Sequence, residues 1–222
     1  MADGGLLASG RDADVYALGD LLVLRRYRRG GDVTAEATVM AYLEKAGFPV
    51  PRVHEANGPD LVMERVDGPT MLQALLDARL TPVAAARLLA DVHRRLHAVP
   101  PRRGTDPAAR ILHMDLHPDN VILSGRGPVV IDWRNATEGP ADLDVAMTAV
   151  LLGQVAVDAT HALAAPAAAV LTAFLTTVGG GPLSVLDRAV AMRRADPASP
   201  AGEVDHLAGV AAHIVATCLR RG

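Results

Sequence analysis

The segment His113-Met114-Asp115-Leu116-His117-Pro118-Asp119-Asn120, followed by Val121 to Asp132, constrains the fold more than any other stretch of the 222-residue chain. Val121, Ile122 and Leu123 are apolar and partly β-branched, which favours a strand. Ser124-Gly125-Arg126-Gly127-Pro128 is turn chemistry, and Val129, Val130 and Ile131 make a returning strand. So short a connection forces the two strands antiparallel. Asn120 enters this hairpin and Asp132 leaves it. Both are therefore expected at its open end, where facing residues sit about 5 Å apart at Cα. The expectation is a carboxamide oxygen beside a carboxylate, with Asp115 upstream in the same loop. Hard oxygen ligands of this kind suit Mg²⁺, which keeps several waters and takes further ligands from phosphates. The residues read as an Asp beside a Mg²⁺-binding pair, arranged for phosphoryl transfer. The competing reading is a solvated polar loop before an ordinary hairpin.

The order H-x-D-L-H-P-x-N followed by I-D-W resembles the aminoglycoside phosphotransferase and choline kinase family, and more distantly the kinase catalytic loop with its metal-binding Asp. The resemblance covers roughly residues 9–146. It implies an α+β, two-lobed protein-kinase-like fold. A small antiparallel-sheet lobe with one helix is expected over residues 1–67, and a mainly helical lobe with the catalytic loop over 68–222. It also implies ATP and Mg²⁺, with the γ-phosphate passing to a hydroxyl of a small molecule. Asp115 then orients that hydroxyl and accepts its proton, while Asn120 and Asp132 hold the metal on the phosphates. His117 stands where protein kinases carry a Lys and is placed to touch the γ-phosphate. His113 is a packed, hydrogen-bonded support, and Asp119 faces solvent. Asp144 either holds the backbone of the catalytic loop or is simply a first-turn acid of the helix opened by Gly139-Pro140-Ala141-Asp142. Trp133 follows Asp132 where protein kinases have Phe-Gly, and only about six residues separate Trp133 from Gly139-Pro140. Both features disfavour a peptide-substrate platform and favour the small-molecule branch.

In the first lobe, Ser9-Gly10-Arg11-Asp12-Ala13-Asp14-Val15-Tyr16 resembles a phosphate-covering loop, with Gly10 as its one glycine; a plain hairpin turn is the other reading. Leu21 to Arg25 is a strand whose alternation puts Leu21, Val23 and Arg25 on one face. Arg25 stands where the family resemblance expects a phosphate-pairing Lys. An Arg can fork onto phosphate oxygens but is longer and planar, so the exchange is not neutral; a solvated basic strand end with Arg26, Arg28 and Arg29 is the alternative. Thr34 is a candidate cap for a helix from Ala35 to Ala46, stopped by Gly47 and Pro49. Glu36 on that helix is either the partner of Arg25 or an acid favoured by the helix dipole. Val50 to His54 and Asp60 to Val66 are strands around an Asn57-Gly58-Pro59 turn. The stretch Leu61 to Gly68 resembles the adenine-binding hinge, with backbone groups near Glu64 and Val66 reading the base edge. Met63 is either behind the base or an ordinary core Met.

In the second lobe, Thr81-Pro82 marks a helix start for an element running to about Ala98. His93 and His97 lie four apart on it and could share a metal, but the sequence around them supplies no third ligand, so core histidines are the expected reading. Helices are expected over about 141–156, 159–177, 183–195 and 202–220.

The net charge of −3 and the 3% aromatic content exclude a nucleic-acid-binding surface as the default. The single Cys218 excludes an internal disulfide and a Cys-rich zinc site. No basic segment leads into an apolar core at the N-terminus, so a cytoplasmic location is expected. The uncharged run His161 to Val178 is read as a buried or half-buried helix, in preference to a membrane span. The helical part is short, and its late acids are Asp187, Asp196, Glu203 and Asp205; a polycationic aminoglycoside would want a denser acidic cleft. A second function class stands beside the enzyme: a catalytically weak pseudokinase that binds nucleotide or a protein partner, suggested by Arg25 and the single-glycine loop.

Overall fold

A computed structural model of the chain describes residues 4–10, 12–104, 106–196 and 206–220. In chain order the strands are β1 (Leu6–Ser9), β2 (Ala13–Leu18), β3 (Leu22–Tyr27), β4 (Val53–Asn57), β5 (Asp60–Glu64), β6 (Arg110–Leu112), β7 (Val121–Ser124), β8 (Gly127–Val130) and β9 (Thr137–Gly139). The α-helices are α1 (Thr34–Lys45), α2 (Met71–Leu76), α3 (Pro82–Leu96), α4 (Ala141–Val157), α5 (Ala164–Thr177), α6 (Leu186–Ala195) and α7 (Leu207–Leu219). The chain forms two compact units: Met1–Pro69 with Ile122–Ala136, and Thr70–Val121 with Thr137–Gly222. An antiparallel sheet in the N-terminal region and helices in the C-terminal part make this an α+β, kinase-like architecture.

The first unit is built on an antiparallel sheet of order β1-β2-β3-β5-β4. Strand alternation turns Val23, Arg25 and Tyr27 of β3 to the buried side. Leu21, expected on that same face, precedes the strand and is 77% exposed. The register sets Val23 opposite Met63 and Arg25 opposite Leu61, so the buried apolar residues of β5 flank the guanidinium. Helix α1 turns Glu36, Met40 and Leu43 inward. Thr34 is not its cap. Asp32 Oδ1 accepts the Thr34 backbone N–H at 2.9 Å, because a carboxylate just before the helix reaches the first orphan donors and suits the positive end of the dipole.

The β7–β8 hairpin has a two-residue connection, Gly125-Arg126, tighter than the five-residue turn read from the sequence, so Gly127 and Pro128 belong to the returning strand. Trp133 sits in the 3₁₀ turn after it and is fully buried. Its ring stands edge-on to Phe48 at 5.8 Å, and its Nε1–H donates to the Val130 carbonyl at 3.0 Å. The Val130 N–H in turn donates to Pro49 O at 3.0 Å, which ties the hairpin to the loop after α1.

Gly68 is the one glycine of this unit that both conformation and space demand. Its φ is +142°, and a Cβ there would lie 2.4 Å from the Leu123 carbonyl oxygen. That neighbour is backbone, held by the Leu123 N–H donating to Pro69 O at 2.8 Å, so it cannot swing aside. Gly68→Ala is expected to cost about 1–3 kcal/mol, read as a lowered midpoint in chemical denaturation with an unchanged slope. An unchanged midpoint would show that the Leu123 backbone does not constrain residue 68.

The second unit is helical. Thr70 and Gln73 form a reciprocal capping box at the start of α2. Thr81 caps α3, accepting the Ala84 N–H at 3.2 Å with Pro82 at the first position, as the Thr-Pro signal requires. Helix α4 is buried almost all round from Leu143 to Val150 and packs against α5, α6 and α7. It is the hub of the unit, and its uniform burial is why its sequence shows no polar face. Gly153 on α4 admits α7: a Cβ there would meet Val210 at 2.7 Å. Helix α5 starts at Ala164, not near 159; before it, Asp158 Oδ1 accepts the Thr160 N–H at 2.9 Å in a local turn that replaces the first helical turn. The Asp196-Pro197-Ala198-Ser199-Pro200 break, apart from Asp196, and residues 202–205 of the last expected helix lie outside the described residues.

Strands β6 and β9 pair antiparallel, Arg110 with Gly139 and Leu112 with Thr137, and so bracket the segment that carries Asp115. Glu138 on β9 accepts the backbone N–H groups of Arg102, Arg103 and Gly104, each at 2.9 Å, and pins the basic loop before β6. Among the described residues no single helix is long and apolar enough to cross a membrane. The segments Ala164–Thr177 and Pro182–Ala195 reach that length only together and bend by 111° between them. Ala167, Val170, Leu171, Phe174 and Leu175 of α5 are buried against the unit's own core, as the expected buried helix requires.

Candidate active site

In the first unit the sheet delivers Arg25 to a buried position, and α1 sets Glu36 against it. One guanidinium nitrogen of Arg25 donates to Glu36 Oε1 at 2.9 Å; another donates to Asp132 Oδ1 at 2.6 Å. The solvated strand-end reading thus fails for Arg25, which is 9% exposed; Arg26, Arg28 and Arg29 are exposed, and Arg26 and Arg28 pair with Asp60 and Asp14. Glu36 is saturated. Its carboxylate also accepts the Tyr27 hydroxyl at 2.7 Å and the Trp133 backbone N–H at 3.2 Å. Burial pushes the Glu36 carboxyl up, and the Arg25 charge with the Tyr27 hydroxyl pulls part of that back. Burial likewise pushes the Tyr27 phenol up, so it stays protonated as a donor. Asp132 itself is in the left-handed region, φ +65°, which Asp tolerates better than most non-glycine residues.

The Arg25 guanidinium also lies 4.8 Å from the centre of the Tyr27 ring, and that of Arg134 lies 4.6 Å from the same centre. Arg134 is paired with Asp12 at 3.1 Å. Sequence reading missed Tyr27 and Arg134. The signal for Tyr27 was available, since it stands two residues beyond Arg25 on the same strand face; Arg134 had none.

The other residues expected near nucleotide are distributed over the sheet. Gly10 lies in the β1–β2 turn, and its N–H donates to Ala13 O at 2.9 Å, so that group is committed inside the turn. Arg28 braces the turn by donating to Gly10 O at 2.8 Å and to the Asp14 carboxylate. These bonds, with the Ser9 hydroxyl, hold the Asp14 carboxyl down at about 2. Met63 is buried on β5. Glu64 is clamped by Arg126 through two bonds of 2.6 and 2.9 Å, and its backbone N–H donates to Arg52 O at 2.8 Å. Val66 follows the end of β5.

In the second unit the loop between β6 and β7 gathers Asp115, His117 and Asn120. The Asp115 backbone N–H donates to Nδ1 of the fully buried His113 at 3.2 Å, which fixes the start of the loop. Asn120 sits in a 3₁₀ turn (Pro118–Asn120), and its Nδ2 donates to the Asp115 carbonyl at 2.8 Å. With the amide nitrogen turned toward Asp115, the carbonyl oxygen of the same side chain is the atom that remains for a cation. His117 Nε2 lies 3.3 Å from Asn120 Nδ2 and 3.9 Å from Asp115 Oδ1. Asp119 is exposed and accepts the Thr70 hydroxyl at 2.8 Å.

Asp144 is fully buried at the start of α4, and its Oδ1 accepts the Met114 backbone N–H at 2.8 Å. Met114 has φ +66°, so this bond holds a strained residue next to Asp115. The other oxygen, Oδ2, accepts from His97 Nε2 at 3.0 Å and faces His93 Nδ1 at 3.5 Å. Burial would raise the Asp144 carboxyl; the two imidazoles more than offset it and hold it far below the usual carboxylate range. The third partner that the sequence around His93 and His97 lacks is therefore supplied from α4.

A family model described as the phosphotransferase enzyme family (APH) matches residues 4–110 and 74–181. The chain belongs to this family. Among curated proteins it is 30% identical over 130 residues to the EKC/KEOPS complex subunit BUD32 of Encephalitozoon cuniculi (strain GB-M1), a match covering 53% of this chain and 60% of that protein. The chain thus spans about three fifths of the length of that curated relative. Among solved structures, a thermostable mutant of aminoglycoside phosphotransferase APH(4)-Ia in ternary complex with AMP-PNP and hygromycin B superimposes with a TM-score of 0.64 at 17% identity, covering 100% of this chain and 94% of that one. A choline/ethanolamine kinase family protein from Mesorhizobium loti gives 0.60 at 16% identity, over 98% and 93% of the two chains. Amicoumacin kinase hAmiN, in complex with AMP-PNP, Ca²⁺ and Ami, gives 0.59 at 13%, over 95% and 87%. At these identities the structural likeness establishes the kinase-like phosphotransferase fold alone.

Proposed function

We propose that this phosphotransferase moves the γ-phosphate of ATP to a hydroxyl group of a small molecule, with Mg²⁺ on the phosphates. The observation that carries the reading is the buried Arg25 fork onto Glu36 and Asp132, which fixes a permanent cation beside the expected metal-binding acid. Asn120 and Asp132 suit Mg²⁺: both offer hard oxygens, and the Asn120 amide is oriented with its nitrogen occupied. When bound, the ion neutralises charge that develops on the phosphate oxygens. The chain's own residues do the rest. Asp115 orients the acceptor hydroxyl and takes its proton as the acceptor oxygen bonds to the γ-phosphorus and the bond to the ADP oxygen breaks. His117 and Arg25 contact phosphate oxygens, and Met63 with the backbone near Glu64 and Val66 lines the base. The Gly10 turn covers the phosphates with its remaining backbone groups. Positioning and charge neutralisation supply most of the acceleration in such a loose transition state. The small-molecule acceptor is supported by two structural relatives solved with AMP-PNP and a small molecule, hygromycin B or Ami.

A second reading has its own support. Arg25 holds an Asp132 oxygen at 2.6 Å, and the curated relative is a subunit of a complex. Both fit a catalytically weak pseudokinase that binds nucleotide or a protein partner. The deciding experiment is a transfer assay with radiolabelled ATP and Mg²⁺ over a panel of hydroxylated metabolites and antibiotics, with thermal-shift binding of ATP in parallel. Transfer to at least one acceptor, abolished in Asp132→Ala, is the expected result. ATP binding with equal inertness of the wild type and that variant would leave the second reading standing.

A further inference from the structure

The geometry points to a zinc-class divalent metal site formed by His93 Nδ1, His97 Nε2 and Asp144 Oδ2, inside the helical unit and separate from the expected Mg²⁺ ligands. The argument starts from one proton. The Thr148 hydroxyl lies 2.7 Å from the Leu116 carbonyl oxygen, which can only accept, so Thr148 donates there. Its oxygen is then left to accept from His93 Nε2, 3.0 Å away, and His93 carries its proton on Nε2. Nδ1 of neutral His93 is thereby a bare lone pair. It is buried, has no hydrogen-bond partner, and faces an Asp144 oxygen at 3.5 Å. Two lone pairs turned toward each other in a buried site require a cation between them, either a second proton or a metal ion.

Three features favour the metal. The candidate ligand atoms all lie within 4.8 Å of one another, and the separations from Oδ2, 3.5 and 3.0 Å, bracket the spacing of about 3.4 Å that a tetrahedral ion with bonds near 2.05 Å sets between its ligands. Two imidazoles and one carboxylate are the donor types such an ion takes, leaving one position for water, and on binding His97 Nε2 gives up to solvent the proton it donates to Asp144 Oδ2. The outer contacts that hold ligands in place already exist: His93 donates its far N–H to Thr148, and Asp144 accepts the Met114 N–H on its other oxygen. His97, with 12% of its side chain exposed, is where solvent reaches the cluster. An ion there would join α3 to α4 and, through Asp144, to the backbone beside Asp115.

The test uses the full chain, stripped of metal by chelator and free of nucleotide. Titration with Co²⁺ is expected to give visible d–d bands of tetrahedral intensity saturating at one equivalent, which Zn²⁺ displaces and excess Mg²⁺ does not. Zn²⁺ at about 100 times its Kd is expected to raise Tm by roughly 5–10 °C. His93→Gln, whose amide can still donate to Thr148, and His97→Gln should each lose the bands and the shift while remaining folded by circular dichroism. Absence of tetrahedral bands in the wild type, or bands equally strong in both variants, overturns the proposal and assigns the intervening cation to a proton on His93. Neither result depends on phosphoryl transfer.

Discussion

Asp115→Ala is expected to lower the rate of phosphoryl transfer by about 10²–10⁴-fold, mainly in kcat, with little change in ATP binding. That corresponds to about 3–5 kcal/mol of lost transition-state stabilisation. The residue has the surroundings the role needs. Its backbone is fixed by His113 below and by the Asn120 amide at its carbonyl, while its carboxylate keeps a quarter of its area in contact with solvent. The carboxylate is thus open to solvent on one side while the chain beneath it is rigid. Asn120 keeps its bond to the backbone carbonyl of residue 115 when the carboxylate is removed, so Tm should stay within a few degrees of wild type, which separates a chemical defect from a folding one. Single-turnover transfer measured beside an ATP thermal shift decides the matter. Turnover in Asp115→Ala equal to wild type would exclude Asp115 as the proton acceptor.

Arg25→Met is expected to be among the most destabilising single changes in the first unit. It removes the cation that compensates Glu36, which is 5% exposed and has no solvent to turn to. Breaking a buried pair from one side costs about 3–5 kcal/mol, and for a chain of this size each kcal/mol lowers Tm by about 2–4 °C. The loss is not simply the value of the pair, since it includes the isolated carboxylate. Adding Glu36→Gln should therefore recover part of it, with a coupling of about 1–3 kcal/mol between the two sites. The amide oxygen can still accept the Trp133 N–H, and the amide nitrogen can donate to the Tyr27 hydroxyl oxygen. Additive effects of the two substitutions would mean that the guanidinium and the carboxylate do not support each other. Arg25→Lys tests a different property: one ammonium cannot span Glu36 and Asp132 as a planar fork does, so the variant keeps the charge and loses one bridge.

The local chemistry of several elements was legible before any coordinates. The Thr81-Pro82 start of α3, the alternation that puts Val23 and Arg25 on one face and the β7–β8 ribbon follow from rules that act over a few residues, and the association of Glu36 with Arg25 from a family pattern. Other features were not legible, because nothing local announces them. Thr34 became the first residue of α1 instead of its cap: the preceding Val33 offers no side-chain acceptor, and Asp32 takes the Thr34 N–H, a choice made by the entry path of the chain. The start of α5 shifted because Asp158 can serve a turn as readily as a helix.

What the sequence by itself determined is the set of groups and their order: a loop carboxylate, an amide and an acid flanking a short ribbon, and a cation on a strand face, all within the phosphotransferase family. What only the tertiary structure decided is which of these groups share their charge. Arg25 divides its guanidinium between Glu36 and Asp132, and Asp144 draws two histidines from another helix while gripping Met114. The physical reason is that a buried charge must find its partner wherever packing brings one. Packing joins residues far apart in the chain, so periodicity and spacing, which are local, carry no record of it.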